Sequence, residues 1–159
     1  MHLSVFDLGA GNLHSLAKAL VAAGGDVAIT ADASALISAE AIVLPGVGAF
    51  GAAAQRLEPA RATLLAAIAR GTPVLGICLG LQLLFERSDE GVGEGLGVFA
   101  GAVTRLASPR VPHLGWNSLT DVREPLLEQA PLEAVYFAHS YACRAADLEI
   151  GRASCRERV

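Results

Sequence analysis

Short apolar runs closed by glycine alternate with stretches of helical periodicity along the first half of the chain. His2 to Leu8 predicts a first strand, followed by a turn at Asp7-Leu8-Gly9-Ala10-Gly11-Asn12. Leu13, Leu16, Ala17, Leu20 and Val21 then recur at helical spacing, and Gly24-Gly25 ends that helix. Asp26 to Thr30 predicts a second strand. Ala41-Ile42-Val43-Leu44 predicts a third, closed by Pro45-Gly46-Val47-Gly48. Leu57, Leu64, Leu65 and Ile68 fall on one helix ending at Gly71. The short apolar run between Pro73 and Gly76 reads as a buried parallel strand, and the stretch after Cys78, to Phe85, as a helix with an apolar face. Strands alternating with helices predict an α/β fold, a mostly parallel sheet covered on both faces. Ligands of such sheets gather at the carboxyl ends of the strands. Gly9 to Asn12, Gly46 to Gly48 and Cys78 all fall at such ends, so three separate turns should meet at one crevice.

After Glu86 the pattern changes. Ser88 to Gly97 is polar and glycine-rich and reads as a loop. Val103 to Leu106 and Tyr136 to Ala142 alternate like shorter strands. Val111-Pro112-His113-Leu114-Gly115-Trp116-Asn117 holds the single Trp. There is no internal repeat and no linker, which argues for one domain.

Composition narrows the classes. The 159 residues are 53% hydrophobic but only 5% aromatic. Much of the apolar content is alanine, so a mean hydropathy of +0.47 does not point to a membrane. The longest apolar run is interrupted by Gln82 and is too short to span a bilayer. The N-terminus reads as a strand and not a signal peptide, which points to the cytoplasm. A net charge of −4 gives no electrostatic case for nucleic acid. The three cysteines (Cys78, Cys143, Cys155) show no C-x-x-C spacing, so neither a disulfide framework nor a metal site is indicated.

Cys78 carries the most specific chemistry. It sits between a strand and a helix with Gly76 and Gly80 two positions away on each side. That is the cysteine version of the nucleophile elbow G-x-S-x-G. A tight turn pushes the side chain out above the sheet, and the new helix turns its free N–H groups toward the sulfur, favouring the thiolate. A lone cysteine is more often plain core, so the residues alone leave both readings open. Gly46-Val47-Gly48-Ala49-Phe50-Gly51 matches the dinucleotide pattern G-x-G-x-x-G, but the acidic residue that should follow some 20 positions on is missing. His2 and His14 read as ordinary surface or core residues, whereas His113 and His139 lie within motifs.

Four stretches together resemble a known family. They are Pro45 to Gly51 (P-G-V-G-A-F-G), Gly76 to Phe85 (G-I-C-L-G-L-Q-L-L-F), Val111 to Asn117 (V-P-H-L-G-W-N) and Tyr136 to Tyr141 (Y-F-A-H-S-Y). The chain resembles the class I (triad) glutamine amidotransferases. With Asp7-Leu8-Gly9-Ala10-Gly11-Asn12 added, it closely resembles their imidazole glycerol phosphate synthase glutaminase family, over about residues 3 to 143. The resemblance implies a flavodoxin-like amidotransferase fold and hydrolysis of glutamine to glutamate and ammonia, with no cofactor. It implies that Cys78 is the nucleophile and that the backbone of Val47, Gly48 and Leu79 holds the oxyanion. Gln82, Ser140 and Tyr141 would bind glutamine. Asn12, Trp116 and Tyr136 would face a cyclase subunit, a (β/α)8 barrel that receives the ammonia.

The sequence also departs from that family. The catalytic His and Glu of the family lie in a Q-F-H-P-E-K segment, and none is present here. His113 and His139 belong to other motifs and cannot be renamed as the base. Glu149 to Val159 (E-I-G-R-A-S-C-R-E-R-V) has no apolar period and reads like translated sequencing-adaptor DNA. Without its three Arg and two Glu, 9 basic and 14 acidic residues remain, a net −5. The expectation is a C-terminally truncated amidotransferase domain over 1–148, a non-native tail over 149–159, and no activity from this polypeptide. Two alternatives stand beside it: the glutaminase of another synthase, such as that for pyridoxal phosphate, and a flavodoxin-like nucleotide-binding module.

Overall fold

The computed structural model describes residues 1–118 and 134–145. The tail at 149–159, including Cys155, lies outside the described residues. Four strands, β1 (His2–Phe6), β2 (Asp26–Thr30), β3 (Ala41–Leu44) and β4 (Val74–Gly76), form a parallel sheet in the order β2-β1-β3-β4. Helix α1 (Leu13–Ala22) links β1 to β2, while α2 (Phe50–Leu57) and α3 (Arg61–Ala69) link β3 to β4. The order reverses at β1. Right-handed crossovers then place α1 on one face and α2–α3 on the other. The gap between the carboxyl ends of β1 and β3 is the topological switch point.

β3 is buried along its whole length because it has a strand on each side. Its Ile42 and Leu44 pack with Phe50, Leu57, Leu64 and Leu83 in the main core. β4 is parallel as expected but not buried. It pairs only with β3 among the described residues, and Leu75 is 43% exposed.

Two helical expectations need correction. The single helix expected to hold both Leu57 and Leu64 is two, α2 and α3, with a 3-10 turn at Glu58–Ala60 between them. Pro59 is the cause, because it has no N–H to continue α2 and its ring crowds the preceding turn. The helix expected after Cys78 starts at Leu79 as expected but is one turn, α4 (Leu79–Gln82), and Phe85 instead opens strand β5 (Phe85–Ser88). The Leu83 to Phe85 run is apolar because all three side chains are buried, not because a helical face continues.

β5 joins a second sheet in the order β5-β6-β9, with β6 at Phe99–Arg105 and β9 at Tyr141–Ala145. β5 and β6 are parallel, whereas β6 and β9 are antiparallel. β7 (His113–Ser118) and β8 (Ala134–His139) form a separate antiparallel ribbon. The single strand expected from Tyr136 to Ala142 is thus β8 and β9, divided at Ser140. Among the described residues, no helix is long and apolar enough to cross a membrane.

Candidate active site

The site is built on the ends of β3 and β4. Leu44 pairs with Gly76, and Ile77 N–H donates to the Leu44 carbonyl at 2.9 Å. The chain then turns sharply. Cys78 takes φ 54° and ψ −113°, and it is the only non-glycine residue with positive φ among those described. Such a conformation costs on the order of 1–3 kcal/mol and marks a constrained site. It turns the Cys78 side chain outward, and the residue is exposed while Leu79 and Gly80 after it are buried. This is the elbow that the flanking glycines predict. Gly80 is needed because a Cβ there would lie 1.7 Å from the Leu44 oxygen.

With only one turn of helix behind it, the macrodipole support expected for the thiolate is small. Local amides remain. Gly80 N–H donates back to Ile77, and Leu79 supplies the first amide of the turn. Gln82 follows one turn on, half-buried, its N–H donating to the Cys78 carbonyl at 3.1 Å.

The P-G-V-G turn lies against this elbow. A Cβ on Gly46 would stand 3.1 Å from the Leu79 Cβ and 3.4 Å from the Gly80 nitrogen. Val47 and Gly48 are exposed, and Gly48 holds φ +104°. A cavity of about 180 Å³ at the switch point is lined by Leu8, Ala10, Gly46 to Ala49, Arg56 and Leu79. The P-G-V-G turn and the elbow therefore meet directly, and the turn after β1 joins them at the cavity through Leu8 and Ala10. Cys78 itself is exposed and is not among the residues that line the cavity.

Two long-range contacts hold this arrangement, and local sequence does not announce their partners. Arg56 Nη1 donates to the Leu8 carbonyl at 3.0 Å, tying α2 to the β1–α1 loop. The Glu90 carboxylate accepts from Phe50 N–H at 3.0 Å, at the start of α2. A carboxylate there stabilises a helix by about 0.3–1 kcal/mol. One signal was available, since Ala49 at the N-cap has no side-chain acceptor and leaves that place open.

Strand β9 passes close to the elbow. Burial and the charge of Cys78 push the Cys143 thiol up to about 11. Ser140 and Tyr141 lie at the start of the same strand, and both are half-buried. Burying Cys143 as a thiol therefore favours the fold at neutral pH, and this contribution fades as pH rises from about 9 toward 11. The same shift leaves about one Cys143 in a thousand ionised at pH 8. Iodoacetamide at pH 8 should label exposed Cys78 well before Cys143, as read by peptide mass spectrometry on a version ending at Leu148. Cys143 reacting first in the folded chain would contradict the elbow assignment.

The remaining sequence-derived residues are dispersed. The Asn12 side chain caps α1 by accepting from Ser15 N–H at 3.2 Å. Trp116 and Tyr136 are cross-strand partners on the β7–β8 ribbon, 72% and 56% exposed, their rings edge to face with centroids 5.6 Å apart. Among the described residues no cluster of ligands could hold a metal.

The elbow, the glycine turn and the doubly wound sheet agree with what comparison with known proteins finds. A family model described as glutamine amidotransferase class-I matches residues 4–156. The imidazole glycerol phosphate synthase subunit HisH of Thermococcus kodakarensis is 54% identical over 142 residues, covering 87% of this chain and 70% of that protein. The chain belongs to the class I glutamine amidotransferases, in the HisH family. The HisH subunit of Methanothermobacter thermautotrophicus is 49% identical over 142 residues, covering 87% of this chain and 72% of that protein. A crystal structure of a glutamine amidotransferase superposes with a TM-score of 0.69 at 18% identity, over 92% of this chain and 74% of that one. That likeness shows the class I amidotransferase fold, and the family is the one expected from the motifs.

Proposed function

We propose that this chain carries the nucleophile half of a glutaminase site whose ammonia serves a cyclase subunit in histidine biosynthesis. The observation that carries the reading is Cys78, turned outward at positive φ with the P-G-V-G turn against the amides that follow it. Its relatives are HisH subunits of imidazole glycerol phosphate synthase. In the reaction, Cys78 Sγ attacks the side-chain amide carbon of glutamine. The tetrahedral intermediate loses ammonia to give a thioester, which water hydrolyses to glutamate. The backbone N–H groups of Leu79 and of the Val47-Gly48 turn hold the oxyanion, each contributing about 3 kcal/mol. Gln82 and the backbone at Ser140 and Tyr141 hold the glutamine. No cofactor is required. The partner is a (β/α)8 barrel that makes imidazole glycerol phosphate and aminoimidazole carboxamide ribonucleotide.

The exposed Trp116–Tyr136 pair supports the partner assignment, with Asn12 joining it at the interface. Paired exposed aromatics are what a binding hot spot uses, and truncating one costs about 2 kcal/mol or more. The chain should bind an imidazole glycerol phosphate synthase cyclase barrel in a calorimetric titration, and Trp116→Ala should weaken that binding about 30-fold. Saturable labelling of Cys78 by the diazoketone analogue of glutamine, with no binding to the barrel, would instead indicate the glutaminase of another synthase. Failure of both would overturn the reading.

A further inference from the structure

We propose that His139 is a positioning residue for the glutamine-binding backbone at Ser140–Tyr141, with His113 donating to its second ring nitrogen. This rests on the functional reading above. β8 and β9 are one run of chain that leaves the ribbon with β7 and enters the sheet with β6, with only Ser140 between them. A swivel of one residue has little to define its angle unless its peptide planes are pinned. Two hydrogen bonds do this. Leu106 N–H donates to the Ser140 carbonyl at 2.9 Å. His139 Nδ1 lies 2.9 Å from the Tyr141 carbonyl.

A carbonyl can only accept, so the proton sits on His139 Nδ1, and in the neutral ring Nε2 must be an acceptor. His113 lies directly across the ribbon and meets that acceptor, with its Nδ1 3.2 Å away. His113 therefore donates from Nδ1. Stacking on Phe137, with ring centroids 5.6 Å apart and planes 15° from parallel, holds the His113 ring in place. The contacts run from the His113 ring to the His139 ring, and from there to the Tyr141 carbonyl and the strand backbone. Because a carbonyl and the following N–H share one rigid plane, pinning the carbonyls also fixes the directions of the amides.

Side-chain amides separate the two nitrogens. An asparagine nitrogen overlays the Nδ1 position, and a glutamine amide reaches the Nε2 position. His139→Asn keeps the bond to Tyr141 and loses His113. His139→Gln keeps the contact with His113 and loses Tyr141. The readout is inactivation of the 159-residue chain by the diazoketone analogue of glutamine, resolved into a half-saturating concentration and a limiting rate. His139→Gln should raise the half-saturating concentration about tenfold, the effect of one lost hydrogen bond, at an unchanged limiting rate. His139→Asn should stay within about twofold of the parent. Iodoacetamide, which does not use the glutamine site, should label Cys78 at the parent rate in both variants. Long-range nitrogen NMR of the parent should place the proton on Nδ1 of both rings. A parent that never saturates would defeat the glutaminase reading. A saturating parent with His139→Gln indistinguishable from it, or a proton on Nε2 of His139, would overturn this proposal alone.

Discussion

Gly80→Ala is expected to cost more stability than any other single-methyl change at the elbow. The added Cβ would lie 1.7 Å from the Leu44 oxygen and 2.5 Å from the Leu44 carbon. Both are backbone atoms of β3, which is buried along its whole length, so no flexible side chain can give way. Relief requires α4 to move off the sheet, which breaks the Ile77–Leu44 hydrogen bond. Overpacking of this kind costs about 1–3 kcal/mol and occasionally more. The upper end applies here, a large share of the roughly 5–15 kcal/mol that holds a domain together. Gly48→Ala is the control. A Cβ there meets nothing within 4 Å, so only the φ of +104° resists it, at about 1–3 kcal/mol. Thermal unfolding should show Gly80→Ala melting about 10 °C or more below the parent, or failing to fold, with Gly48→Ala in between. A Gly80→Ala protein melting with the parent would mean that α4 does not sit on Leu44.

Gly80 also shows how far the sequence could be read. The pattern G-x-C-x-G located the elbow because its glycines answer to a local demand, the close approach of one turn to one strand. The four parallel strands were equally legible, since each is a short apolar run between turn residues. The length of α4 was not. Leu83, Leu84 and Phe85 are apolar for a reason lying elsewhere in the fold, because they are buried in the core beside Leu96 and Val103. Helical periodicity and continuous burial look alike over so few residues. The break between β8 and β9 was hidden for a related reason. Ser140 is neither glycine nor proline, and what turns the chain there is a change of pairing partner from β7 to β6. Glu90 and Arg56 act across 40 and 48 positions. Only the missing cap at Ala49 hinted that α2 needed help from afar.

The 159-residue polypeptide is expected to produce no measurable glutamate, with or without a cyclase partner. A cysteine nucleophile needs a base to set its charge state and an acid to protonate the departing ammonia. The sequence contains four histidines and no Q-F-H-P-E-K segment. The structure engages three of the four, His2, His113 and His139, in other contacts. His2 Nδ1 lies 3.0 Å from the Asp26 carboxylate, and His14 is exposed on α1. In His139 both nitrogens are engaged, one by the Tyr141 carbonyl and the other by His113. Thiolate formed at the elbow can still be trapped by an electrophile, so Cys78 labelling should survive where turnover does not. Members of a catalytic triad act as a unit, and losing one lowers turnover by on the order of 10⁴-fold or more. Adding a C-terminal segment that carries the Q-F-H-P-E-K motif should therefore bring activity up from background, and Cys78→Ala in that longer protein should remove it. Steady glutamate release by the short chain, lost on Cys78→Ala, would sink this expectation. It would require a base among the residues present, and His139 could serve only by giving up the hydrogen bond that its Nε2 accepts from His113.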